Sequence, residues 1–259
     1  MRASQMTQSQ AKAADALLAW YEAMGVDEAI GDVPVDRFDA PLVIAHPAAR
    51  PERKSSTPNP VQPAGPAARA GDAETLQALQ EMVASFEECA LKRTAKTLCF
   101  ARGSEAAKIM LIGEAPGRDE DLQGTPFVGR AGQLLDRMLA AIGLDESQVY
   151  ITNTVYWRPP GNRTPTPQEV AACAPFLARQ IELLNPGMLV LLGGAAAKNI
   201  LGVSEGIMRL RGKWLKYACG GRDIATLATL HPAYLLRKPE EKRYAWRDLL
   251  MVKQALEQQ

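Results

Sequence analysis

The sequence predicts an α/β fold, with helices on both faces of a central four-stranded parallel sheet. Three observations predict it. Four short apolar runs, at 108–113, 149–155, 188–192 and 224–230, have the length of buried strands. Helical patterns lie between them, giving the order β-α-β-α-β-α-β. Connections of that length are crossovers, which parallel neighbours require.

Residues 1–30 read as an N-terminal helical segment. Within it, 9–24 suits an amphipathic helix, with Leu17, Leu18, Tyr21 and Met24 on one face and Trp20 beside it. Docking on the rest of the chain or on a partner is left open. Residues 31–73 are rich in Pro and Ala and have little periodicity, the composition of a disordered linker. The folded domain is expected over 74–259. It begins with a helix at 74–91, whose apolar side carries Leu76, Leu79, Met82, Val83 and Phe86. The first strand breaks into the turn Gly113-Glu114-Ala115-Pro116-Gly117, followed by Asp119, Glu120 and Asp121. Those three acids read as a solvated loop. A helix at 129–142 stops at Gly143, a plausible C′ glycine. After the second strand, Thr166-Pro167-Gln168-Glu169 supplies an N-cap, a proline at N1 and a capping-box acid for a helix running to Leu184. The third strand leads through Gly193-Gly194 into a short helix ending at Leu201. Residues 209–217 suit a small hairpin or a loop. The fourth strand ends at His231-Pro232, and 240–257 forms the closing helix.

Net charge is only +1, but it is uneven. Residues 198–253 hold 12 Lys/Arg against 5 acids, which suits a polyanionic partner or a solvated helix face. The four cysteines are Cys89, Cys99, Cys173 and Cys219. The first residues lack the apolar core of a secretory signal, and no apolar run has the length of a bilayer span. A cytoplasmic protein with reduced thiols is expected, its cysteines core fillers or metal ligands.

In a parallel sheet all four strand exits lie on one edge, where open α/β sheets hold ligands. The exits carry 114–127, 153–163, Gly193-Gly194 and 231–237. There is no GxxxxGK[ST] and no GxGxxG, so neither a phosphate loop nor a dinucleotide site is indicated. His231 is one of two histidines, and its place after a buried strand gives it weight.

The stretches Gly113-Glu114-Ala115-Pro116-Gly117, Pro126-Phe127-Val128-Gly129-Arg130-Ala131-Gly132, Tyr150-Ile151-Thr152-Asn153, Arg158-Pro159-Pro160-Gly161-Asn162-Arg163 and His231-Pro232-Ala233-Tyr234-Leu235-Leu236-Arg237 resemble, in the same order, family 4 uracil-DNA glycosylases. The similarity spans about residues 85–250. It implies a three-layer α/β/α fold and removal of uracil from single- or double-stranded DNA by a monomer with no membrane association. Such an enzyme flips the base out and reads its Watson–Crick edge. Phe127 fits an aromatic platform, Asn153 an amide that pairs with uracil or else caps a turn, and His231 a donor to the uracil oxygen. The backbone at Glu114 and Ala115 is placed to help. The resemblance points to Glu114 as the essential acid, since the best-known uracil glycosylases carry an Asp where Ala115 stands. Tyr234, Leu235 and Leu236 are candidate wedges for the vacated stack, Leu235 first, with a core-facing turn as the alternative. Arg158, Arg163, Arg211, Lys213 and Arg237 are candidate phosphate contacts. The rival reading is a non-catalytic binder or covalent trap. The trapping branch carries a His-containing insert that Gly129-Arg130-Ala131-Gly132 lacks.

The chain departs from the family it resembles at the cofactor. Family 4 enzymes hold a four-iron, four-sulfur cluster on four cysteines. Two of those positions match Cys89 and Cys173; the other two carry Phe86 and Trp157. Two thiolates do not make the usual four-cysteine set. No cluster is therefore expected. The alternative keeps the cluster with Cys99 and Cys219 as substitute ligands.

Overall fold

The computed structural model describes residues 70–258. The helix expected at 9–24 and most of the expected linker lie outside the described residues. Residues 70–73, read as the linker's end, already touch the core at two positions. Ala70 and Ala73 are buried, and the Arg179 guanidinium donates to the Ala73 carbonyl at 2.8 and 3.0 Å.

Helix α1 spans Leu76–Ser85, started by the Thr75 hydroxyl accepting from the Ala78 N–H. It is shorter than the periodicity predicts. The chain leaves helical geometry at Phe86 (φ −73°, ψ 121°), which brings both Phe86 and Cys89 into the core before a 3₁₀ turn at Ala90–Arg93.

Six strands follow: β1 Arg102–Gly103, β2 Ile109–Gly113, β3 Val149–Asn153, β4 Met188–Leu192, β5 Trp214–Cys219 and β6 Arg222–Thr229. Their order is β1-β3-β2-β4-β6-β5. The four expected parallel strands form the centre, and the antiparallel strands β1 and β5 close its two edges. The sheet is thus mixed and six-stranded rather than four-stranded. The added strands have physical reasons to escape a search for apolar runs. β1 is two residues long, and β5 alternates exposed and half-buried residues. The hairpin reading of 209–217 holds in part. β5 pairs with β6 through a turn at Gly220 and Gly221, while 207–210 is helical.

The helices are α2 Arg118–Gln123, α3 Arg130–Ala140, α4 Pro167–Leu184, α5 Gly194–Leu201, α6 Ile207–Leu210, α7 Pro232–Arg237 and α8 Lys242–Leu256. The capping box predicted for α4 is present, with Thr166 and Glu169 bonding each other's backbone N–H. Every residue of β2, β3 and β4 is buried, so both faces of the sheet are covered. Successive side chains point to opposite faces. Ile109, Leu111, Ile151 and Val190 pack with Leu135 and Leu139 of α3 and Leu249 and Val252 of α8. Met110, Ile112, Leu189 and Leu191 pack with Leu177 and Ile181 of α4 and with Ala196 and Ala197 of α5. Each of these Leu, Ile, Val and Met side chains contributes roughly 1.5–3 kcal/mol when fully buried. The result is three layers, α/β/α. The parallel register sets Gly113 opposite Asn153, so the exits of β2 and β3 leave the sheet side by side.

Candidate active site

A cavity of about 440 Å³ opens at the C-terminal edge of the sheet. The exit of β2 lines it with Glu114, Ala115, Pro116 and Gly117, the next loop with Phe127, and β3 with Asn153. Asn162, Arg163 and Thr164 come from the following loop, His231 from the N-cap of the short helix α7, and Tyr234 and Arg237 from the helix itself. All five residues expected to act on the base are therefore brought together.

Asn153 is 1% exposed, and neither its Oδ1 nor its Nδ2 has a partner in the protein. Leaving buried polar atoms unpaired costs about 1–3 kcal/mol each, so an unpaired amide facing a cavity calls for a ligand with one donor and one acceptor. Gly113 makes this arrangement possible. A Cβ there would lie 2.4 Å from Asn153 Oδ1 and 2.5 Å from Phe127 Cζ. Phe127 is held in the left-handed region (φ 57°), and its ring stands 5.7 Å from the His231 ring, 29° from parallel.

His231 is the N-cap of α7. Its Nδ1 accepts from the Ala233 N–H at 3.1 Å, so the neutral ring carries its proton on Nε2. Burial, then the positive charge of Arg237, pushes its pKa down to about 4. The ring is thus a neutral donor at physiological pH. Gly193, at φ 94°, lies against it; a Cβ there would come within 2.9 Å of His231 Cβ.

The loop of Glu114 is pinned from two sides. The Thr154 hydroxyl donates to the Glu114 carbonyl at 2.7 Å, and the Thr154 N–H to the Gly113 carbonyl at 2.9 Å. The Glu120 carboxylate accepts from the Gly117 N–H at 3.0 Å and the Gly129 N–H at 2.9 Å, bridging the Glu114 turn to the segment after Phe127. Asp121 accepts from the N–H groups of Lys96 and Thr97. Both acids are buried, so 119–121 is not a solvated loop but the first turn of α2, two of its three carboxylates spent on backbone N–H groups. Sequence reasoning missed Glu120 and Thr154. The signal for Glu120 was an acid three residues after a glycine N-cap.

Two of the expected DNA contacts are corrected. Leu235 is completely buried among Leu134, Leu230 and Ala245, so it is a core residue and not a wedge; the core-facing alternative holds. Arg211 is held by Asp248, with Nε to Oδ2 at 3.1 Å, and by the Tyr244 carbonyl; its side chain is 13% exposed and stands outside the cavity lining, so it belongs to a structural ion pair. Lys213 is exposed but lies outside the cavity lining. Arg158 Nε donates to Asn162 Oδ1 at 2.7 Å. Arg163 forks onto Glu169 at 2.7 and 2.8 Å, and its hydrogen bonds hold that carboxyl at about 2. Tyr234 is half-buried and Arg237 exposed at the cavity mouth.

The family model for the uracil DNA glycosylase superfamily matches residues 100–250. The chain belongs to this superfamily. It is 43% identical over 171 residues to the type-4 uracil-DNA glycosylase of Archaeoglobus fulgidus, covering 64% of this chain and 86% of that one. It is 41% identical over 165 residues to the type-4 enzyme of Thermotoga maritima, covering 63% and 84%. To that of Saccharolobus solfataricus it is 38% identical over 188 residues, covering 71% and 87%. All the cavity-lining residues of the uracil DNA glycosylase fold described above fall inside the matched span.

The four residues that the resemblance aligns with cluster ligands, Phe86, Cys89, Trp157 and Cys173, lie together in one core. Cys89 and Cys173 face each other, Sγ to Sγ 3.9 Å, in a core shared with Phe86, Trp157, Tyr156 and Phe176. The Cys99 thiol donates to the Glu120 carbonyl at 3.1 Å, and burial pushes it up to about 12. Cys219 ends β5 at the sheet edge. Among the described residues no three His, Cys, Asp or Glu side chains converge as metal ligands. Two thiols among aromatic rings do not fit a four-thiolate cluster.

Proposed function

We propose that this protein is a DNA repair glycosylase that flips uracil out of DNA and hydrolyses its N-glycosidic bond, leaving an abasic site. The observation that carries the reading is the unpaired Asn153 amide buried in the cavity. Uracil lies against Phe127 and completes that amide: Nδ2 donates to O4, and Oδ1 accepts from N3–H. As the bond from C1′ to N1 breaks, its electron pair moves onto the uracil ring and O2. The Nε2–H of His231 donates to that oxygen, aided by the backbone at Glu114 and Ala115. Positive charge grows on the sugar, where Glu114 stabilises it and takes a proton from the water that adds to C1′. Ordering the cavity so that no donor reorganises during the reaction is where Glu120 and Thr154 contribute.

At the mouth, Tyr234 is the remaining side chain of the wedge set that lines the cavity; Arg163 and Arg237 there, and Arg158 beside Asn162, are the phosphate contacts. The enzyme works as a monomer in the cytoplasm and without a metal cluster, Phe86 and Trp157 filling the places of two ligands. Among the described residues no helix is long and apolar enough to cross a membrane. Helix α3 starts directly after Gly129, with no insert and no histidine there, which favours hydrolysis over covalent trapping.

The test is incubation with an oligonucleotide containing a single uracil, followed by alkali. Strand cleavage at the uracil is expected. Retention of the DNA in a gel shift without alkali-labile product would replace the enzyme by a binding protein, and a complex surviving denaturation would indicate a trap.

A further inference from the structure

We propose that Cys89 and Cys173 are a redox modification site, closing to a disulfide that ties α4 to the segment after α1. The inference rests on the cluster-free reading above and goes beyond it. The two Sγ atoms stand 3.9 Å apart, each the other's side-chain partner. A bonded pair stands at about 2.05 Å, so closure needs a combined approach of roughly 2 Å, within reach of small side-chain rotations. The surroundings are rings and aliphatic groups, which accept a disulfide without an unpaired charge. Cys89 is buried, but its neighbours Glu88 and Ala90 are exposed, so opening a single turn of chain reaches it. The bond would close a loop across 84 positions that contains Glu114, Phe127, Asn153 and Arg163. It would join two of the segments that a cluster would have held.

The chemistry balances with a low-molecular-weight disulfide as oxidant. The thiolate of one cysteine attacks a sulfur of that disulfide, and the first small thiolate leaves. The thiolate of the other then attacks the protein sulfur of the mixed disulfide, and the second leaves. Two protein thiols lose two protons and two electrons, and the small disulfide is reduced to two thiols.

The full chain, purified anaerobically, is assayed for iron and sulfide. It is then equilibrated with glutathione and glutathione disulfide at a range of ratios, alkylated, and mapped by mass spectrometry. The expected result is iron-free protein with one oxidised peptide pair, Cys89 to Cys173. Its Tm should rise by about 5–15 °C on oxidation. The rise should be absent in Cys89→Ser and present in Cys219→Ser, and the peptide map on the unmutated chain stands whether or not the variants fold. About four irons per chain would overturn the cluster-free reading and the disulfide with it. Iron-free protein in which both thiols alkylate at every ratio would overturn the disulfide alone, as would a bridge to Cys99 or Cys219.

Discussion

His231 shows how one side chain is prepared by its neighbours. The Ala233 N–H fixes the proton on Nε2, and burial keeps the ring uncharged. The donor is therefore imidazole and not imidazolium. His231→Ala should slow single-turnover excision by about 10²-fold, the usual loss for one oxyanion donor, while affinity for uracil-containing DNA changes far less. The pH profile separates the two protonation states. An imidazolium donor would lose activity as pH rises through 6.5, the ordinary value; a neutral donor shows no such step, because its proton equilibrium lies near 4. Asn153, Phe127 and His231 were legible in the sequence because each sits in or just after a strand exit within a recognisable motif. Glu120 was not, because an acid between two other acids reads as solvated. The two N–H groups it accepts from are twelve residues apart, at Gly117 and Gly129, and only the folded chain sets them on either side of one carboxylate.

Helix α7 shows why an element matters more than a motif string. Placed in a loop, Leu235 follows His231 at the distance of a wedge. Placed in a helix capped by His231, it lies one turn on and points into the core beside α3 and α8. Leu235→Ala should lower stability by about 2–5 kcal/mol, the range for a buried leucine, read as a fall in Tm. Excision from duplex and from single strands should then decline in equal proportion; a loss confined to duplex would return Leu235 to the DNA interface. Asp248→Ala belongs to the same scale. It leaves Arg211 partly buried with no carboxylate, and removing one partner of a buried pair costs about 3–5 kcal/mol, measured by denaturant unfolding. The edge strands β1 and β5 escaped the sequence because neither carries the continuous apolar run that marks a central strand.

Over the whole molecule, acid should weaken the fold in two windows. His231 is neutral when folded down to about pH 4 but binds a proton when unfolded below 6.5, so stability falls as pH drops from 6.5 to about 4. Glu169 is held at about 2 by Arg163 against 4.5 unfolded, so its contribution is complete above 4.5 and is lost as pH falls toward 2. Thermal melts of Glu169→Gln should lack the second window and keep the first. The three-layer architecture was legible from strand and helix order alone. The core around Cys89 and Cys173 was legible only in part: the sequence shows two cysteines and two aromatics, and the 3.9 Å approach of the thiols is a product of packing α4 against the turn after α1. Everything in the cavity turns on the orphaned Asn153 amide reading uracil. The deciding measurement is single-turnover excision from single-stranded oligonucleotides carrying uracil, thymine or cytosine at one position, by the protein and by Asn153→Asp. Uracil should be released and neither other base. The variant should lose at least about tenfold, since one mispaired buried contact costs roughly 1–3 kcal/mol. Uracil release by Asn153→Asp at the unmutated rate would contradict that reading.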